Sequence, residues 1–161
     1  MTTRVATQGE VFPAAAVRSP TAAEALRVLA LVGRILFSAI FVIASFGHFT
    51  QAYASYAAKA GVPMPGLLVP ISGVLALAGG LSVLLGYHAR IGAALLVAFL
   101  IPVTLWMHAF WRETDPAAAA LQLANFLKNL SMLGGALLII YFGSGPLSLD
   151  ARRARSATSP G

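Results

Sequence analysis

Four long apolar stretches fill most of the chain, and the few polar residues inside them fall on single helix faces. In the first stretch five residues of one helix face are separated alternately by four and three positions: Arg34, Ser38, Phe41, Ser45 and His48. This is the seam spacing of a packed helix. Because a polar stripe facing lipid would be costly, we expect it to face the interior of a helical membrane bundle.

The four stretches have the length of membrane spans. Residues 26–49, 67–85, 91–110 and 121–142 each approach the ~20 residues that an α-helix needs to cross ~30 Å of hydrocarbon. Of the 161 residues, 58% are hydrophobic and only 10% are charged, whereas about a quarter of a soluble domain is charged. We therefore predict an all-α fold, a four-helix transmembrane bundle over residues 26–143 that is surrounded by the lipid bilayer.

The positive charges predict the orientation of this bundle. One side of the membrane receives most of them: Arg4, Arg18, Arg27, Arg90, Arg152, Arg153 and Arg155. The other side receives only Lys59 and Arg112. The positive-inside rule then predicts a multi-pass protein of the cytoplasmic (inner) membrane of a bacterium, with an N-in/C-in topology. The net charge of +6 belongs to these membrane edges, and no basic face is long enough to bind nucleic acid.

Local signals complete the predicted organisation. Residues 1–25 are predicted to be a disordered cytoplasmic tail, and residues 144–161 a basic, flexible one. The first outer loop contains a short interfacial segment over residues 51–60, which ends at a glycine and two prolines. In the second span Gly73, Ala76 and Gly80 share one face, and small residues at this spacing indicate close helix packing.

Arg34 lies about two turns inside the first span, and two interpretations stay open. A long Arg side chain can reach the cytoplasmic interface from that depth. Alternatively it is a fixed, buried cation. All five acidic residues lie outside the spans, so a buried guanidinium would need a backbone carbonyl, an anionic lipid, an acidic partner subunit or a ligand.

The fourth span contains a second polar group, formed by Asn125, Lys128 and Asn129. Each polar group in hydrocarbon requires a hydrogen bond, so a Lys–Asn pair one turn after another amide favours an interior polar cluster.

His48 and His108 end the first and third spans, both on the non-cytoplasmic side. Two imidazoles can ligate a haem between helices, but His at a helix–water boundary is usually only hydrogen-bonded. We therefore disfavour haem and keep contact with a quinone or a head group as the ligand hypothesis. The chain has no cysteine, which excludes disulfides and thiolate-held metals, and no metal site is predicted.

Several short motifs resemble the DoxX family of small four-helix membrane proteins over residues 31–142. They are Gly33–Arg34, Gly47–His48–Phe49, Leu77-Ala-Gly-Gly-Leu81 with Gly86, Arg90 and Phe126-Leu-Lys-Asn-Leu130. The resemblance implies a membrane subunit associated with redox systems, in thiosulfate:quinone oxidoreduction or oxidative-stress complexes. Arg34, His48, Lys128 and Asn129 would then match the family's polar positions, whereas Ala76 replaces a glutamate that is frequent in the family.

Three hypotheses for function follow. The first is an accessory or anchoring subunit of a membrane redox system, in which Arg34, Lys128 and Asn129 contact a quinone, an anionic lipid or a redox partner subunit. The second is a small transporter or permease for an anionic or amphipathic solute. The third is a structural membrane chaperone or scaffold, in which neighbours satisfy the cations. Under each hypothesis the partners considered are a redox partner subunit and a second copy of the chain in a homo-oligomer. Catalysis by this chain alone is not expected, because the spans contain no nucleophile–base pair.

Overall fold

The computed structural model describes residues 20–158, and this part of the chain is helical, without a β-strand. Its α-helices are α1 (Pro20–Ser45), α2 (Gln51–Lys59), α3 (Pro65–Leu85), α4 (Ala89–Met107), α5 (Pro116–Phe142) and α6 (Leu149–Thr158). Within the described residues α1, α3, α4 and α5 are long and apolar enough to cross a membrane. The all-α class and the four spans are thus confirmed, whereas the N-in/C-in orientation stays a prediction.

The helix bounds differ from the predicted spans mainly at their beginnings. α1 begins at Pro20, so residues 20–25 are helical where a disordered tail was predicted, and residues 1–19 lie outside the described residues. At its other end α1 tightens into a 3₁₀ turn, Phe46–Phe49. α5 begins at Pro116 because the Asp115 carboxylate accepts the Ala118 N–H at 2.8 Å and caps the helix.

The segment of the first outer loop is the helix α2. The Thr50 hydroxyl accepts the Tyr53 N–H at 3.4 Å at its beginning, and Gly61 follows its end with a φ of +80°. Ala54 and Ala57 are its buried residues. This helix therefore lies with its small side chains against the bundle.

The membrane helices pack in chain order. α1 packs on α3, α3 on α4, and α4 on α5. The core between them contains Phe41, Val83, Leu96 and Leu100, all almost fully buried. α1 and α5 approach one another where the Phe37 ring lies over Gly135, since a Cβ at Gly135 would lie 2.8 Å from that ring. The two outer helices of the series thus meet over a short stretch.

Glycines allow the closest helix contacts. A Cβ at Gly73 would lie 2.7 Å from the His48 Cβ, and one at Gly80 would lie 3.1 Å from the Phe41 Cβ. Gly79 and Gly92, which are not on the predicted packing face, bring α3 and α4 together: a Cβ at Gly79 would lie 2.8 Å from the Gly92 carbonyl oxygen. Ala76, on the predicted face, is 1% exposed within the core.

Candidate functional site

A cavity of about 730 Å³ lies between the membrane helices, and α2 covers part of it. Most of its wall is apolar and comes from α1, α3, α4 and α5, including Phe41, Leu75, Phe99, Leu100 and Met132. Its polar groups come from the predicted site and from α2 and α3: His48, Tyr53, Tyr56, Ser72, His108, Lys128 and Asn129. Of the predicted site residues, the structure therefore brings His48, His108, Lys128 and Asn129 to one cavity.

The polar end of the cavity lies in the half of the bundle near α2. The Gln122 side chain bonds to His108 at the end of α4, which places Gln122 near that end of the bundle. Lys128 follows six residues later, about 9 Å further along α5 at 1.5 Å per residue. Lys128 and Asn129 thus lie near the middle of a helix of 27 residues, inside the region that spans the membrane.

Lys128 stands at the mouth of the cavity, with an exposed side chain. Its Nζ donates a hydrogen bond to the Asn125 Oδ1 at 2.9 Å, and no carboxylate of the described residues forms an ion pair with it. A lysine near the centre of a membrane helix costs about 2.5–3.5 kcal/mol on insertion scales. The contact with Asn125, one turn nearer the helix beginning, directs the ammonium towards the polar end of the cavity.

Asn129 is the buried polar residue of the cavity, with 5% of its surface exposed. Its side-chain amide has no hydrogen-bond partner among residues 20–158, although it lines the cavity. The amide atoms keep some accessible surface at the cavity, where hydrocarbon would offer them no hydrogen bond. This amide is therefore available to a molecule that enters the cavity.

Each of the two histidines forms one hydrogen bond within the protein through its Nδ1 atom. The His48 Nδ1 donates to the Ala44 carbonyl oxygen at 3.1 Å, and the His108 Nδ1 donates to the Gln122 Oε1 at 2.9 Å. The Gln122 Nε2 in turn donates to the Tyr56 hydroxyl at 3.4 Å, which connects α5 to α2. Both Nε2 atoms therefore remain for other contacts. No group of three or more His, Asp or Glu residues in the described part of the chain could hold a metal ion.

Arg34 does not line this cavity. It is 6% exposed and donates hydrogen bonds to the backbone oxygens of Ser144 and Leu147, which follow α5. Of the partners for Arg34 that were considered from the sequence, backbone carbonyls are the ones observed. The charge of Asp150 also lies close enough to act on the guanidinium. Arg34 thus holds the C-terminal segment of the chain against α1.

Residues 149–158 form α6, where the sequence predicted a flexible tail. The Asp150 carboxylate accepts the backbone N–H groups of His88 at 2.8 Å and Ala89 at 3.2 Å, at the beginning of α4. The Arg153 guanidinium lies 4.3 Å from the centre of the Tyr87 ring. The Ser148 hydroxyl, which accepts the Ala151 N–H at 3.1 Å, is an N-cap signal that sequence analysis missed.

The docking of α6 is expected to depend on pH through Asp150. Burial by itself would raise the pKa of this carboxyl, but hydrogen bonds from the His88 and Ala89 N–H groups and the Ser144 side chain, with the charge of His88, together hold the pKa below its ordinary value. Such a carboxyl stabilises the folded state above its unfolded pKa of about 3.9, and this contribution is lost as the pH falls through the lower folded pKa. We expect α6 to stay docked from neutral pH down to about pH 4 and to loosen below it.

A spin label can measure this docking, because the chain has no cysteine of its own. The label is attached through Ala157→Cys, an exposed position of α6, and its mobility is followed by electron paramagnetic resonance. Asp150→Ala should give the mobile spectrum already at neutral pH, whereas Asp115→Ala, which removes the cap of α5, should not. An immobile label in the Asp150 variant would contradict this role.

Comparison with known proteins identifies a family whose model matches most of the chain. The model of the SURF4 family matches residues 12–155. The chain is 32% identical to the inner membrane protein YphA of Escherichia coli (strain K12) over 127 residues, which are 78% of this chain and 90% of that protein. It is 29% identical to the inner membrane protein YqjF of the same organism, over 74% of this chain and 88% of that protein.

A eukaryotic relative matches part of the chain. The Surfeit locus protein 4 homolog of Drosophila melanogaster is 34% identical over 76 residues, 45% of this chain and 27% of that protein. No solved structure matches. The resemblance to the DoxX family is wrong, since the family model that covers most of the chain is that of SURF4. The redox association followed from that resemblance and loses its support with it, and no match supports the quinone contact inferred from His48 and His108.

Proposed function

Since the chain belongs to the SURF4 family and is a multi-pass protein of the inner membrane, we propose that it binds or transports an amphipathic solute in its cavity. One observation carries this proposal: the 730 Å³ cavity has an apolar wall, and its buried amide, Asn129, has no partner among the described residues. Pockets of roughly 300–1,000 Å³ with a few convergent polar groups are typical of small-molecule sites.

The scaffold hypothesis accounts less well for this cavity. The cavity opens towards the lipid, so in a purely structural bundle lipid tails would fill its apolar part. They would leave the Asn129 amide without a hydrogen bond, which costs stability. A solute with a polar group would fill the apolar part of the cavity and form a hydrogen bond with the amide, which is why we favour binding.

Filling the cavity tests this function. Met132 lines it, so Met132→Trp should occupy its apolar part and exclude the solute. We expect the amount of extractable lipid or small molecule that copurifies with the protein to fall at least about fivefold, as expected for a loss of about 1 kcal/mol or more of binding free energy. The measurement is mass spectrometry of the organic extract of protein purified in mild detergent.

Leu130→Trp is the matched control, because Leu130 lies on the same helix with 50% of its surface exposed and does not line the cavity. It should leave the copurifying molecules unchanged. If both variants and the unmodified protein gave the same extract, the proposed function would be wrong.

A further inference from the structure

We propose that the solute is a single-chain amphipath with an anionic head group, a carboxylate or a phosphate, which Lys128 and the amide of Asn129 bind. This inference rests on the proposed function of the cavity and adds the chemical class of its occupant. The head group would lie at the polar end, near α2, and the acyl chain would lie along the apolar wall.

The charge of the cavity indicates the sign of the head group. Lys128 is the one residue with a permanent charge among the residues that line the cavity, and no Asp or Glu lines it. Its hydrogen bond to the neutral Asn125 amide leaves the positive charge without a counter-charge among the described residues. In a low-dielectric region a cation of this kind favours an anion over a neutral group.

The Asn129 amide gives the second contact. It is buried, lines the same cavity as its neighbour Lys128, and has no partner among the described residues. Its NH₂ group can donate to an oxygen of a carboxylate or phosphate, which accepts several hydrogen bonds. His48 and His108 line the same cavity, and their Nε2 atoms take no part in the hydrogen bonds that their Nδ1 atoms form within the protein.

The shape of the cavity indicates one chain and a route from the lipid. A volume of about 730 Å³ suits a ligand of drug-like size, which is comparable to one acyl chain and smaller than a two-chain phospholipid. Lys128 is exposed on the membrane-spanning part of α5, and Ala44 of α1 is exposed on the facing wall. An amphipath in the bilayer can therefore reach the site sideways, between α1 and α5.

The test compares a fluorescent acid with its neutral ester. Dansyl-labelled undecanoic acid and its methyl ester are titrated into the protein in nanodiscs, and binding is followed by energy transfer from Trp106, which lines the cavity. We expect the acid to bind at least about tenfold more tightly than the ester, because hydrogen bonds to a charged group are the stronger ones. Dodecyl phosphate should compete with the acid, whereas acetate and inorganic phosphate, which have no chain, should not.

Variants assign the preference to residues. Lys128→Met should reduce the affinity for the acid to that for the ester when both are measured on the same variant. Asn129→Leu should lower the affinity for the acid at least about threefold. This factor corresponds to the loss of one hydrogen bond of about 0.7 kcal/mol or more. Lys59→Met removes a lysine of α2 that does not line the cavity and should change nothing.

The outcomes separate the two proposals. Equal affinities for the acid and the ester, with binding of both abolished by Met132→Trp, would contradict the proposal of an anionic head group. The cavity would then still be a binding site. No saturable binding of either probe would overturn both. If Lys128→Met failed to fold, Lys128→Arg would decide: it retains the charge, so it must retain the preference for the acid, and its loss would contradict the inference.

Discussion

Arg34→Met is expected to lower the free energy of unfolding by roughly 2–4 kcal/mol, because one buried and one partly buried carbonyl oxygen lose a charged donor. These oxygens belong to Ser144 and Leu147, more than a hundred residues away in the chain. Methionine fills most of the volume but donates no hydrogen bond, so the segment between α5 and α6 loses its anchor on α1. The measurement is an unfolding titration with sodium dodecyl sulfate in mixed micelles.

The control for Arg34 is Arg27→Met on the same helix. Arg27 is exposed, so its replacement should change the unfolding free energy by less than about 0.5 kcal/mol. Arg34→Lys should recover only part of the loss, because an ammonium lacks the planar fork that reaches both oxygens. Equal stabilities of the Arg34 and Arg27 variants would contradict the anchoring role.

Gly92→Ala is expected to destabilise the bundle by about 1–3 kcal/mol through overpacking between α3 and α4. A Cβ at this position would lie 2.3 Å from the Ser82 Oγ, 2.4 Å from the Ser82 Cβ and 3.0 Å from the Gly79 carbonyl oxygen. The carbonyl belongs to the backbone of α3, so relief requires the two helices to move apart. The same unfolding titration measures the effect.

Gly134→Ala is the matched control, because a Cβ there would meet no atom within 4 Å. Since alanine is the better helix former by about 1 kcal/mol, this variant should be as stable as the natural protein or more stable. If Gly92→Ala behaved like Gly134→Ala, the close contact between α3 and α4 would not limit the packing of the bundle.

The elements that could be predicted from the sequence are those with a local signal. The spans follow from runs of apolar residues, and the beginning of α5 follows from Asp115 and Pro116. The family resemblance failed because its motifs were single residues and pieces of up to five residues, built largely from Gly, Leu and a few polar residues. Such pieces recur in unrelated membrane helices, since small residues serve helix packing in general.

The polar residues show where sequence reasoning about the site ended. Arg34 and Lys128 were treated as members of one ligand site, but the structure separates them: Arg34 bonds to the segment after α5, and Lys128 stands at the cavity. The helix α6 was missed because short segments rich in Arg have little apolar periodicity. Its docking depends on Asp150 and on the beginning of α4, which are 61 residues apart.

The sequence by itself determined that this is an all-α protein with four membrane-spanning helices. In hydrocarbon each backbone polar group needs a hydrogen bond within the protein, and an apolar segment of ~20 residues supplies these bonds by itself as an α-helix, so composition and length suffice for that conclusion. Only the tertiary structure decided which polar side chains find a partner. Arg34 finds backbone oxygens far along the chain, whereas Asn129 lines the cavity without a partner among the described residues. Hydrogen bonds between distant segments depend on how helices pack, and local periodicity does not specify this packing.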